Sequence, residues 1–287
     1  MKYTGFYINL DRSPERREEI EKELARNGLG GLYSRFAASD GNTLNFPNTH
    51  PILENELGCF TSHYRLLTEN RDSPRPLHVI EDDIILSPAV EVMLDELIDN
   101  GELAKYDIIY TDVNIPVTSN HCVTYKEIYN QNVKLGQNGR IESTRFSIID
   151  MKDMELASTC SMLINPRSIV NLAELFEYEL KRGARMPVDF LIRHLCNHSA
   201  IKVGCLFPFV TSIKPENYLQ TTIHNRPDVK TIHANHMLRH SFFVGADLNK
   251  LLAEAIAFYP QPDPADVQGQ LLLRLMGFSL TPDYKKS

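Results

Sequence analysis

Hydrophobic and polar positions along this chain switch repeatedly between a strand-like period and a helix-like one. Residues 3–10 form a short apolar run, read as a strand. The polar stretch 11–17 then opens a helix, with Ser13 as its cap, Pro14 in its first turn and Glu15 complementing the dipole. Ile20, Leu24 and Ala25 make that helix's apolar stripe, and Gly28 marks its stop. Residues 33–38 read as a second strand, closed by the turn Ser39-Asp40-Gly41-Asn42. Helical spacing returns over 56–70 through Leu57, Phe60, Tyr64 and Leu67. The apolar strand 77–80 runs straight into Glu81-Asp82-Asp83, and Ile84-Ile85-Leu86 resumes before Ser87-Pro88 starts a helix to Ile98.

Further on, 106–110 is strand-like and ends at Thr111-Asp112, whereas 114–153 is polar and poorly patterned, with a hairpin turn at 136–140. A strand at 160–164, helices over 166–182 and 186–196, and a strand at 202–210 follow. This alternation predicts an α/β fold on a mostly parallel sheet with crossover helices. After Arg226-Pro227 two helical stretches, 246–259 and 265–276, flank a proline-rich break, which places a catalytic-type domain at 1–225 and a mostly helical extension at 226–287. Leu248, Leu251, Leu252, Ala255, Ile256 and Tyr259 share one apolar face, expected to pack on the chain's own body.

Composition narrows the class. The 287 residues carry 30 Lys+Arg and 37 Asp+Glu, a net charge of −7, which argues against a nucleic-acid-coating protein. The 5 cysteines show no metal-like spacing and read as reduced, mostly buried thiols. No signal-like leader and no apolar run of membrane-spanning length is present, so the cytoplasm is the expected location, with attachment to the inner face of a membrane left open.

The acidic triplet is the strongest chemical feature. Alternation along a strand would put Glu81 and Asp83 on one face and Asp82 on the other, and paired carboxylates flanked by isoleucines call for a cation, Mg²⁺ or Mn²⁺ by ligand type. A solvated strand end is the alternative. Asp11 and Asp40 suit a ribose or base and Arg12 a phosphate, or else serve as caps and turns. Cys59 and His63 share a helix face without the further ligands zinc needs. Asp189, at a helix start, either complements the dipole or acts as a general base. His233, His236 and His240 align on a helix and, with Arg226, Lys230 and Arg239, form a basic segment suited to packing, to a metal, to an anionic acceptor or to a membrane surface.

The block Glu56-Leu57-Gly58-Cys59-Phe60-Thr61-Ser62-His63-Tyr64-Arg65, followed by Val79-Ile80-Glu81-Asp82-Asp83-Ile84, closely resembles glycosyltransferase family 25, which includes bacterial lipopolysaccharide and lipooligosaccharide glycosyltransferases and collagen galactosyltransferases. Tyr7-Ile8-Asn9-Leu10-Asp11-Arg12, Ala38-Ser39-Asp40-Gly41 and Pro187-Val188-Asp189-Phe190-Leu191 are similar to other motifs of the family, in the right order, with serine where the family has valine before Asp40. The resemblance implies a GT-A type nucleotide-diphosphosugar-binding fold. It also implies inverting transfer of galactose or glucose from a UDP-sugar to a glycan acceptor, oligosaccharide or lipid-linked, in surface polysaccharide assembly.

In that picture Asp83, assisted by Glu81 or Asp82, holds Mn²⁺ or Mg²⁺. Asn9, Leu10, Asp11, Arg12, Ser39, Asp40 and Gly41 bind uridine and ribose, and Glu56, Gly58, Ser62 and His63 line the donor side. Asp189 is the first candidate for the general base and Asp112 the second. A noncatalytic nucleotide- or glycan-binding protein and a metal-dependent nucleotidyltransferase are the rivals. The second lacks support, because residues 11–17 contain no glycine for a phosphate cradle. A homo-oligomer and a peripheral membrane contact are left open, and no nucleic-acid partner is expected.

Overall fold

The chain order is β1 (Thr4–Asn9), α1 (Pro14–Arg26), β2 (Tyr33–Ala37), α2 (Glu54–Glu69), β3 (Leu77–Glu81), β4 (Ile84–Leu86), α3 (Val90–Asp99), β5 (Ile108–Tyr110), α4 (His121–Asn132), β6 (Val133–Leu135) and β7 (Ile141–Ser143). It continues with β8 (Ser147–Asp150), β9 (Ser161–Ile164), α5 (Ile169–Lys181), α6 (Val188–Asn197), β10 (Val203–Phe207), β11 (Thr211–Ile213), α7 (Val229–Ser241) and α8 (Leu248–Phe258). These elements come from a computed structural model that describes residues 2–44, 52–116, 119, 121–136, 139–143, 145–155, 157–214 and 229–258. The expected domain boundary near 225 and the expected helix over 265–276 lie outside the described residues.

Seven strands form the central sheet in the order β2-β1-β3-β9-β5-β10-β8. Strands β1, β2 and β3 pair in parallel, as do β5 and β10, while β9 and β8 run antiparallel to their neighbours. The sheet is therefore mixed, with one reversed strand inserted at its centre. That reversal matters: the start of β9 lies at the carboxyl ends of β3 and β5, the edge where open α/β sheets bind ligands. Glu81 N–H donates to Cys160 O (2.8 Å) and Thr111 N–H to Ser161 O (3.2 Å) at this edge.

After Glu81 the chain leaves the sheet through a tight turn at Asp82-Asp83, and β4 pairs with β11 in a separate two-stranded ribbon. Lys214 N–H donates to Asp83 O (3.0 Å), which fixes the turn from the ribbon side. In α1, Ser13 makes no side-chain cap; the Asn9 amide donates to Ser13 O instead (3.1 Å). Ala25 is exposed, and the buried partner of Ile20 and Leu24 is Glu23, whose carboxylate accepts from Leu86 N–H (3.0 Å) and Arg26 (2.8 Å). Gly28 ends the helix at φ +74°, as its sequence position predicts.

The poorly patterned stretch holds a helix, α4, which buries Cys122, Tyr125 and Tyr129 at helical spacing. Tyr125 and Tyr129 pack on Phe207 and Phe242, so the segment after 226 shares the main core. Strands β6 and β7, which flank the expected hairpin turn, pair antiparallel, and Gly136 N–H donates to Arg140 O (2.9 Å); residues 137–138 of that turn lie outside the described residues. Helix α8 buries Leu248, Leu251 and Ala255 and leaves Ile256 exposed. Among the described residues no helix is long and apolar enough to cross a membrane, and all five cysteines are free thiols.

His78, inside β3, is fully buried between the Tyr33 hydroxyl and Ser161 Oγ (3.1 Å), and burial drives its pKa down to about 3. An unfolded histidine titrates near 6.5, so on acidification the unfolded chain takes up this proton first. The stability due to neutral His78 is complete above about pH 6.5 and is lost toward pH 3, at up to about 1.4 kcal/mol per pH unit. Urea denaturation between about pH 6 and pH 4.5 is expected to show a shallower loss for His78→Gln than for wild type. Parallel slopes would assign the acid sensitivity to other groups.

Candidate functional site

A cleft of about 840 Å³ opens at the carboxyl edge of the sheet, lined by residues from β3, α2, the 157–160 segment, α6 and α7. Glu81 and Asp83 lie on its wall, and each offers an oxygen within 4.8 Å of the other and of Cys160 Sγ. Asp82 is diverted: it is buried, accepts from Asn9 Nδ2 (2.6 Å) and pairs with Arg16 (2.5 Å). The separation expected from strand alternation is thus present, although a turn at 82–83 produces it.

Arg16, on α1, also reaches Asp83 Oδ2 at 2.8 Å, while Asp83 Oδ1 is buried without a hydrogen-bond partner among the described residues. Burial raises the Asp83 pKa to about 6; Arg16 opposes this, and Glu81 and Asp82 add to it. Burial also raises Asp82, against Arg16 and Asn9. At Glu81 burial pushes upward, but the His63 ring and the Thr159 hydroxyl more than offset it, so this carboxyl stays below its ordinary value. Thr159 Oγ1 donates to Glu81 Oε1 (3.0 Å), and His63 Nε2 stands 3.9 Å from the same oxygen. An orphaned carboxylate oxygen facing a second carboxylate is the environment a hard divalent cation satisfies, so the residues fit Mn²⁺ or Mg²⁺.

The loop residues expected to hold the nucleoside are largely engaged with one another. Asp11 pairs with Arg35 (2.6 Å), which also donates to Asn9 Oδ1 (3.0 Å); Arg12 pairs with Asp40; and Leu10 is half-buried beside them. Asp40 caps a short 3₁₀ turn by accepting from Asn42 N–H (3.1 Å). Gly41 and Gly58 are where this turn meets α2: a Cβ on Gly41 would stand 1.6 Å from Glu54 O, and one on Gly58 2.8 Å from Gly41 N. Ser62 Oγ accepts from Ser39 N–H (2.8 Å) and donates to Gly58 O (2.7 Å). Of the residues expected on the donor side, Glu56 and Glu81 line the cleft, whereas Ser39, Gly41, Gly58 and Ser62 dock the turn on the helix.

Asp189 lines the cleft, with Oδ2 accepting from Ser158 N–H and Oδ1 from Phe190 N–H, both at 3.0 Å. Asp112 does not fit the role of a second base. It is fully buried beneath Arg239, whose Nε donates to Asp112 Oδ2 (2.8 Å), and it is not part of the cleft wall. A carboxylate sealed in an ion pair has no path to an acceptor hydroxyl, and breaking such a pair costs about 3–5 kcal/mol.

The residues least visible in the sequence are those of the 158–160 segment and α7. Ser158 holds φ +94°, a conformation L side chains rarely adopt, fixed by Asp189 from one side and by Arg239 Nη2 (3.3 Å to Ser158 Oγ) from the other. One short segment thereby ties Glu81, Asp189 and Arg239 together. The histidines of α7 do not converge on a metal: His233 stacks on Phe258, His240 faces Ser212 Oγ (3.2 Å) and His236 lines the cleft. Cys59 and His63 lie beside Glu81 as a metal-capable group, sharing that carboxylate with the Asp83 group.

Residues 3–192 match the sequence profile of glycosyltransferase family 25 (LPS biosynthesis protein). A "Glycosyltransferase 25 family member" of Drosophila pseudoobscura pseudoobscura is 30% identical over 124 residues, 37% of this chain and 20% of that protein. The protein of the same description from Drosophila melanogaster is 30% identical over 127 residues, with the same shares, so the matched stretch spans a fifth of these relatives. Among solved structures, an active-site mutant of LgtC gives a TM-score of 0.39 at 9% identity over 85% of each chain. The galactosyltransferase LgtC with donor and acceptor sugar analogues gives 0.36 at 9% identity over 98% of each.

Proposed function

The chain belongs to glycosyltransferase family 25, and from that premise we propose that it is a metal-dependent, inverting GT-A type hexosyltransferase. It moves galactose or glucose from a UDP-sugar to a glycan acceptor in lipopolysaccharide, lipooligosaccharide or related surface-polysaccharide assembly, on the cytoplasmic side of a membrane. The observation that carries the reading is the pairing of Glu81 with Asp83 on the cleft wall, with Asp83 Oδ1 buried and unpartnered. Glu81 and Asp83 would hold the divalent cation, which when bound would neutralise charge on the diphosphate of the departing UDP.

The protein's own groups supply the rest. Arg16 keeps Asp83 oriented from the α1 side, and Thr159 does the same for Glu81. Asp189 stands at the start of α6 with each oxygen accepting a single N–H, so lone pairs remain to take the acceptor hydroxyl's proton as the hydroxyl attacks the anomeric carbon. Attack from the face opposite the leaving group inverts that carbon, by the geometry inverting hydrolysis uses with water.

Calorimetric titration of the full chain with a panel of nucleotide-sugars, with and without Mn²⁺ and with released UDP assayed in parallel, tests the reading. Mn²⁺-dependent binding of one UDP-sugar with slow UDP release is expected. Absence of binding to every member would reject the transferase in favour of a noncatalytic protein of this fold.

A further inference from the structure

The fold leaves the Arg239 guanidinium unfinished. Nε and Nη2 donate to Asp112, and Nη2 also reaches Ser158, but Nη1 is buried and has no acceptor among the described residues. A buried cationic N–H without an acceptor is costly, and proteins rarely leave one unless a ligand or water completes it. Arg239 lines the same cleft as Glu81 and Asp83, and its charge acts on Asp83. Of the described residues on the cleft wall, the permanent cations are Arg193 and Arg239, and Arg193 lies over the Phe190 ring, 4.6 Å from its centroid.

We propose that Arg239 is a binding residue for a diphosphate ester, with Nη1 donating to a phosphate oxygen and Asp112 acting as the positioning residue that holds the guanidinium. The choice of ligand rests on the nucleotide-sugar reading above. A wall carrying Glu81 and Asp83 repels a diphosphate, so a fixed cation is needed beside them. A guanidinium already clamped along one edge loses little freedom when its remaining nitrogen finds an oxygen. Arg239 lies beyond residues 3–192, so α7, which sequence reading places in an appendage, completes the donor side of the cleft.

The test is titration of the full chain at fixed free Mn²⁺ with UDP, inorganic pyrophosphate and uridine, for wild type, Arg239→Gln and the double variant Asp112→Asn with Arg239→Gln. Arg239→Gln is expected to weaken UDP and pyrophosphate about 10- to 100-fold and to leave uridine unchanged. The double variant removes both buried charges, so it folds without an unpaired ion and is expected to show the same selective loss. A folded double variant that binds UDP and pyrophosphate as wild type does, or one that loses uridine equally, overturns the proposal. Wild type that binds pyrophosphate but not UDP would end the nucleotide reading while the pyrophosphate comparison still decides Arg239. Wild type that binds neither overturns both.

Discussion

Asp83→Asn is expected to abolish the Mn²⁺-dependent part of UDP binding and to lower sugar transfer on the order of 10³-fold. The magnitude follows from the chemistry: a cation at a leaving diphosphate supplies several kcal/mol of charge stabilisation, and each 1.4 kcal/mol is about a factor of ten in rate. Asn keeps the shape of the side chain and one oxygen, but the unpartnered Oδ1 then carries no charge or becomes a donor. The variant is also expected to fold, because neutralising a carboxyl that burial already pushes toward its protonated form removes a desolvation penalty. Titration with UDP in Mn²⁺ and in EDTA should give the same affinity for this variant and different affinities for wild type. Wild-type affinity of Asp83→Asn in Mn²⁺ would refute the metal assignment.

Asp189→Asn is expected to lower kcat by about 10²- to 10⁴-fold, the usual contribution of a positioned base, with UDP affinity unchanged. The split between binding and turnover is the informative part. Asp189 also accepts from Ser158 N–H and so helps to hold the strained backbone beside Glu81 and Arg239. A variant that loses donor affinity along with turnover would show that Asp189 supports the segment, and unchanged turnover would remove it as the base. Asn still offers one carbonyl oxygen to Ser158, which makes it a milder probe of the strap than Ala.

Much of the framework was legible because local pattern carries it. The apolar runs that became β1, β3 and β10, the helical spacing of α2 and α5, and Gly28 at the end of α1 all express short-range preferences a sequence displays directly. The family's motif order was legible for the same reason, since most of its motifs sit at a strand end or helix start, the one over Glu56–Arg65 lying along α2. Helix α4 was missed although Cys122, Tyr125 and Tyr129 recur at helical spacing, because its polar remainder masked the stripe. The mostly parallel sheet was legible, but the reversed direction of β9 was not, since no pattern within Ser161–Ile164 discloses it.

The site divides along the same line. Sequence alone determined that an acidic step interrupts an apolar strand at 81–83 and that Asp189 opens a helix, because strand ends and helix starts are written in neighbouring residues. Tertiary structure decided which of those carboxylates are available. Asp82 is taken by Asn9 and Arg16, Asp112 by Arg239, while Glu81, Asp83 and Asp189 face the cleft. Arg239 reaches Asp112 across 127 residues of chain. Such a partnership depends on how β9 and α7 return to the carboxyl edge of the sheet, and a charged residue reads the same in sequence whether it is solvated, paired in the core or facing a ligand.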